Sequence, residues 1–319
     1  MNLFKTFMSL LHADNGSSQA RHRQSEFSLP FNPPLNTHIL YDHERRLERQ
    51  GQVQTLRSTE QFIWSATQDG FVLQWVTTAF QFKSAEPIQS LMNGIGIALL
   101  NKPVHVAITP DGTISELINL DDWRRQNRDA IAGMGDRVVT LFADQPAQTQ
   151  AAIAARVAGM LAQIDEQTDA QFVDSQLQGL HLLMCEAGPL PAGEDISLTA
   201  DLPALIGTGL IRTELKARLE LNPARTWARL KLASAADAND AAAASGPIVA
   251  AALDAIADPE ARCQAELMLS DLPPPEIADE LVQLFDLPSG LAIRSDYRRS
   301  IRIGGIPPRL ETRKYRRQR

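Results

Sequence analysis

Six histidines (His12, His22, His38, His43, His105 and His181) and two cysteines (Cys185 and Cys263) are the side chains of this 319-residue chain best suited to metal or nucleophilic chemistry, and they are scattered. His181 and Cys185 stand four apart, which would put two ligands on one face of a helix. A zinc site needs further ligands, and none stands nearby. A core His beside a core Cys is the expectation, since Cys packs as a small apolar residue. His38 and His43 differ by an odd number, so one strand would send them to opposite faces. The neighbouring carboxylates Asp121 and Asp122 would point about 100° apart on a helix, which suits the charge at a helix N-terminus better than shared acid–base work. Gly94-Ile95-Gly96 lacks the third glycine of a dinucleotide loop, follows no strand and has no phosphate-binding Lys. Gly-x-Ser-x-Gly, His-Glu-x-x-His, Gly-Lys-Ser/Thr, Cys-x-x-Cys and acidic calcium-loop patterns are absent. No catalytic residue, metal ligand or cofactor is expected, although a site built from distant residues would leave no such mark.

Charge is distributed unevenly. Residues 291–319 hold ten basic residues against Asp296 and Glu311, a net of +8, which leaves −15 for the rest of a chain of net charge −7. Arg298, Arg302, Arg313, Lys314, Arg316 and Arg317 are candidates to meet an anionic surface. Only Tyr297 and Tyr315 accompany them, too few for a base-stacking platform, which argues against nucleic acid. The same charges also suit a solvated edge strand.

The elements that would position these groups follow from periodicity. The chain is 44% hydrophobic and 22% charged, in the range of a folded protein with a core of its own. Residues 1–36 are expected as a flexible segment, with Pro30, Pro33 and Pro34 keeping its end extended. Residues 1–13 hold Lys5 and an apolar run of about five residues, short of the usual ~7–15 of a signal peptide. No stretch approaches a membrane span, so a soluble chain is expected, in the periplasm or the cytoplasm. Residues 37–317 are expected as a single α+β domain, with strands over 37–118, helices over 120–187 and mixed strands and helices over 196–317.

Within 37–50, Ile39, Tyr41 and Leu47 share one parity and Asp42, Glu44, Arg46 and Glu48 the other. His43 and Arg45 intrude on the apolar set, so that face is only partly dry. Strands over 52–66 and 70–82 flank the hairpin signal Asp69-Gly70. Ile88, Leu91, Met92, Ile95 and Leu99 mark one face of a helix that opens at Glu86-Pro87, with Gly94 and Gly96 suited to close approach on a sheet. Strands at 104–108 and 114–118 flank Pro110-Asp111-Gly112, and Asn119 or Asp121 is expected to cap the next helix. Thr168-Asp169-Ala170-Gln171 forms a capping box. Further on, 215–221 and 228–232 alternate as strands. Ser234–Ser245 is expected as an alanine-rich link, with a short helix near 248–256. Residues 262–270 fit either helix or strand. A turn at 286–290 joins the closing strands. Cys185 and Cys263 are expected as two buried free thiols, one disulfide being the alternative. The fold class is α+β: a curved antiparallel sheet built from N- and C-terminal strands, with a central helical segment packed on one face.

Long opening strands, then LMNGIGIALLNKPVHVAITPDGTISELINLDDW, then helices and a closing DLPSGLAIRSDYRRSIRI, resemble a class of uncharacterised bacterial envelope proteins. Their architecture is similar to the curved half-barrel of lipoprotein carriers, in which helices cover an apolar concave face. The resemblance spans 37–317. Its motifs are structural, so no functional residues carry over, and this sequence shows no lipobox.

Three functions stay open. One is a non-enzymatic protein that holds an apolar small molecule, a lipid or a partner segment against the sheet, lined by Phe71, Leu73 and Trp75 with Ile88, Met92 and Ile95 opposite. Core packing would produce the same six residues. The second is an adaptor that docks on a protein, an anionic membrane or nucleic acid through the basic C-terminal residues. The third is a hydrolase without a recognised motif.

Overall fold

The computed structural model describes residues 26–85, 88–135, 137, 140, 142–184, 190–203, 209–270, 272–304 and 307–318. The first part of the chain gives β1 (Glu26–Phe27), β2 (Ile39–Arg49), β3 (Gln52–Thr67), β4 (Gly70–Lys83), α1 (Ile88–Ala98), β5 (Pro103–Ile108) and β6 (Ile114–Leu117). Helices α2 (Leu120–Gly135), α3 (Ala147–Glu166) and α4 (Asp169–His181) follow. The last part gives β7 (Leu190–Pro191), β8 (Asp195–Pro203), β9 (Leu210–Leu221), β10 (Trp227–Ala236), α5 (Ala238–Asp254), α6 (Pro259–Ser270), β11 (Glu276–Asp286), β12 (Leu291–Arg302) and β13 (Arg309–Arg317).

Eleven strands form one open, curved antiparallel sheet in the order β6-β5-β4-β3-β2-β13-β12-β11-β10-β9-β8. It is two meanders, one from each end of the chain, joined where the first long strand pairs with the last: Arg45 faces Arg313 and His43 faces Tyr315. Period-two alternation gives each strand an inner face and an outer face. On β9 the inner residues Ile211, Thr213, Leu215, Ala217 and Leu219 are buried.

Helices cover the inner face. α1 lies against β4, and a Cβ on Gly96 would sit 2.2 Å from the Phe80 ring. The glycine is what lets helix and sheet meet that closely. Gly94 does the same for Met134 of α2. Together α1, α2 and α3 bury Ile88, Leu91, Ile95, Ile131, Met134, Ile153 and Val157 in one cluster. α4 lies over the middle of the sheet, and Leu177, Leu180, Leu183 and Met184 enter a larger cluster with Tyr41, Phe62, Trp64, Leu73, Leu219, Leu230 and Phe285. α5 covers Ile211 and Ile277 with Ala241 and Ala244.

Several expectations are met and several corrected. The capping box at Thr168 forms, with both reciprocal bonds to Gln171. Gly112 takes φ +90° in the expected turn. From Ala238 on the alanine-rich stretch is helix, because alanine is the best helix former and Asp237 caps it through Asn239 and Asp240 N–H, while Ser234–Ala236 still belong to β10. Residues 259–270 are helix too, started by Pro259, and β11 begins only at Glu276. Asn119 does not cap α2 with its side chain. Its carboxamide accepts from His105 N–H at 2.8 Å and donates to Pro103 O at 2.9 Å, which extends the ladder of β5. Cys263 is a free thiol but exposed on α6, which packs against α5. Cys185 and Glu86-Pro87 lie outside the described residues. Residues 26–36, expected as flexible, run as an extended strap: Phe31 packs edge-on to Trp64 and Phe71, each at 5.4 Å, and Asn32 N–H donates to Ser289 O.

Candidate functional site

The six apolar candidates fall into the two clusters. Leu73 is fully buried in the larger, with Phe71 and Trp75 at its margin. Ile88 and Ile95 are buried in the other, with Met92 packed against it. Leu73, Ile88 and Ile95 thus belong to packed core and Phe71, Trp75 and Met92 lie at its margin, while Leu120 and Trp123 border both clusters.

The six cations are dispersed. Arg298 and Lys314 are exposed on the outer face. Arg302 pairs with Glu276 at 3.3 Å and Arg316 with Asp296. Arg317 lies 3.9 Å from Asp286, at a cleft of about 790 Å³ beneath the strap. Arg313 points to the inner face, where it donates to Glu311 and to Gln178 of α4. Outer-face charges mostly pair across strands, as in Arg57–Glu44 and Lys231–Glu220.

A polar band lies on the inner face, crossing six adjacent strands from β4 to β11, and of its members only His43 and Arg45 stood out in the sequence as intrusions on an apolar face. At one end Glu60 is buried and accepts from Ser58 Oγ at 2.6 Å, Trp75 Nε1 at 2.6 Å and Thr77 Oγ1 at 2.9 Å. In the middle Glu311 accepts from Arg45 and Arg313, each at 2.9 Å. At the other end Asp279 accepts from Tyr297 Oη at 2.6 Å and from Arg299 at 2.7 and 3.2 Å. His43 stacks on Tyr315 with centroids 4.3 Å apart. These residues come from six strands, and cross-strand register brings them together.

The electrostatics follow from burial. Removal from water pushes the Glu60 carboxyl up, against three hydrogen bonds that pull it down. Burial, helped by the Arg313 and Arg45 charges, pushes His43 down to about 3, so the ring is neutral. Burial alone would raise Glu311, but its two arginines outweigh it and hold the carboxyl below its ordinary value. Burial and the Asp279 carboxylate push the Tyr297 hydroxyl up.

Ser58, His43 and Glu60 are a serine, a histidine and a carboxylate in contact, but not wired for acyl transfer. A hydrolytic triad places His between acid and nucleophile. Here Ser58 sits between the other two, 3.2 Å from His43 Nδ1, and gives its proton to Glu60. Ser58 is also only 7% exposed. Among the described residues, no group of three or more His, Cys, Asp or Glu could hold a metal ion. No helix among them is long and apolar enough to cross a membrane.

No protein-family model matches this chain. No curated protein matches it either. Among solved structures, one similar chain is titled "Lipid-protein interactions in lipovitellin", at 9% identity and a TM-score of 0.39, covering 90% of this chain and 25% of that one. Another is a porin-like protein from Bacteroides uniformis, at 10% identity and a TM-score of 0.17, covering 91% and 100%. This chain thus spans about a quarter of the lipovitellin chain. Neither likeness carries an argument about function.

The middle of the band has partners on both sides. Two cross-strand rows run from β2 to β8: Arg45, Arg313, Tyr297, Leu281, Leu232, Ala217, Ile196, and beside it Leu47, Glu311, Arg299, Asp279, Ser234, Leu215, Leu198. α4 reaches Arg313 on one side, through Gln178. α5 covers Ile277, two residues along from Asp279, on the other. Between them Leu47, Leu232, Tyr297 and Leu198 are half-buried, and Arg45 is 41% exposed. Apolar surface beside oriented guanidinium groups can take a molecule with an apolar body and a polar or anionic end.

Proposed function

We propose that the protein is a non-enzymatic binding protein that holds an elongated apolar ligand or partner segment against the inner face of its sheet, between α4 and α5. The observation that carries this reading is the pair of rows just described. Leu47, Leu232, Tyr297 and Leu198 keep part of their surface uncovered in a region otherwise roofed by helices. The apolar body would lie along them, and Arg45 and Arg299 would face its polar end. Their carboxylate partners fix both guanidinium groups in place before binding, which lowers the ordering cost.

The test is a titration of the purified, delipidated chain with a fluorescent fatty-acid analogue, with native mass spectrometry of the undelipidated chain beside it. Retained apolar ligand and saturable probe binding are expected. Leu232→Glu places a carboxylate in the apolar row and should weaken probe binding about tenfold or more, a change of at least ~1.4 kcal/mol. A chain that carries no ligand and binds no probe overturns the reading, as does probe binding that Leu232→Glu leaves unchanged.

A further inference from the structure

The sheet has two edges, and among the described residues only one is protected. At the β6 edge the strand is four residues long and offset by a register irregularity at Ala107/Ile108. Ser115 Oγ turns back onto Ala107 O, and Asn119 closes the end of β5. Short, irregular edges of this kind resist pairing with another chain. At the other edge β8 runs for nine residues in unbroken register with β9. It has no Lys or Arg and, before its last residue, no Pro. Among the described residues, no strand pairs with its free side. Its inner residues Ile196, Leu198 and Ala200 are only half-buried, although Leu215 and Ala217 opposite them on β9 are fully covered. A further strand beside β8 would add inner-face neighbours to these three side chains.

We propose that β8 pairs antiparallel with β8 of a second copy, about a two-fold axis at Thr199, and so joins two eleven-stranded sheets into one. The sequence of the strand is self-complementary in that register. Ile196 meets Leu202 and Leu198 meets Ala200 on the inner face. Ser197 meets Asp201 on the outer face, Thr199 meets its own copy, and Asp195 meets position 203. Acidic side chains nowhere oppose each other. An axis at Leu198 would put Asp195 opposite Asp201, and like charges directly opposite are destabilising. A shift by one residue would set the inner apolar set against the outer polar set. An axis at Ala200 would pair fewer of the nine residues. A two-fold contact of this kind closes on itself, and the joined sheet then ends on both sides in the short β6 edge.

Light scattering behind size exclusion and cysteine cross-linking test the proposal together. In a Cys185→Ala, Cys263→Ser background, the chain is expected to form a dimer whose fraction rises with concentration. Thr199→Cys should cross-link to itself under mild oxidation. Ser197→Cys and Asp201→Cys should cross-link when mixed, and neither alone. Thr199→Lys sets two ammonium groups opposite each other on the solvent side and should give monomer with an unchanged circular dichroism spectrum. A chain that stays monomeric at every concentration overturns the proposal. So does a dimer in which Ser197→Cys cross-links to itself as fast as to Asp201→Cys, and the cysteine pattern decides the matter even if Thr199→Lys fails to fold.

Discussion

Arg45 Nε lies 2.9 Å from Glu311 Oε1, an ion pair between residues 266 positions apart that stitches the first long strand of the sheet to the last. Arg313 holds the same carboxylate at 2.9 Å. Glu311→Gln leaves two guanidinium groups side by side without their anion, and should cost about 2 kcal/mol at pH 7 in urea unfolding. Arg45→Ala should cost less, about 1 kcal/mol, because Arg45 is substantially exposed and screened. The Glu311 carboxyl is held below its ordinary value of 4.5, so its contribution is complete above that pH and fades as pH falls through the folded value. The gap between the parent and Glu311→Gln should therefore narrow in acid. A gap that is absent at pH 7 would mean that the backbone ladder alone holds the seam.

His43 makes a second contribution to acid sensitivity, of the same sign. The unfolded chain binds a proton on this ring near pH 6.5, whereas the buried ring resists until about 3. Its folded value is depressed, so the unfolded state gains protons first as pH drops, and stability falls from about 6.5 towards 3. His43→Phe keeps a ring to stack on Tyr315 and removes the titration. Urea midpoints measured from pH 7 to pH 4 should decline more steeply for the parent than for His43→Phe, even though the variant loses the contact with Ser58. Parallel slopes would rule out His43 as the source.

The same two residues show how far the sequence reaches. His43 and Arg45 interrupt the apolar parity of β2, and that interruption is the mark of the polar band. It shows that one face is partly wet, but not which partners make it so. Those partners, Ser58, Glu311, Arg313 and Tyr315, lie on β3 and β13, and only cross-strand register brings them near. Arg313 is indistinguishable by composition from Arg316, yet one faces α4 and the other faces outward. Strand alternation, the hairpin at Asp69-Gly70 and the capping box at Thr168 were legible because each depends on residues a few positions apart. The alanine-rich α5 was not, because a stretch with little amphipathic contrast gives periodicity nothing to detect.

Gly96 is the closest point between α1 and the sheet. Gly96→Ala drives a methyl group into the Phe80 ring, 2.2 Å from its Cδ1, and should cost about 1–3 kcal/mol through overpacking. Gly133→Ala is the control. A Cβ there meets nothing within 4 Å in the last turn of α2, so it should stabilise by up to about 1 kcal/mol through helix propensity alone. Phe80→Leu combined with Gly96→Ala should recover part of the loss. Equal midpoints for Gly96→Ala and the parent would mean that α1 can shift outward without penalty.

Asn119 holds the end of β5 together with Ile118, whose N–H donates to His105 O at 2.8 Å. Its carboxamide accepts from His105 N–H and donates to Pro103 O, standing in for a strand that β6 is too short to supply. Asn119→Ala leaves both backbone groups without that partner and should cost about 1–2 kcal/mol. Asn119→Asp keeps the acceptor but not the donor, and its charge would lie against the Pro103 carbonyl, so it should recover little of the loss. Amide hydrogen exchange separates this role from a helix cap. Loss of the ladder bond should accelerate exchange at His105, whereas loss of a cap would accelerate it in the first turn of α2, at Asp121 and Asp122. Faster exchange confined to that first turn would assign Asn119 to the helix after all.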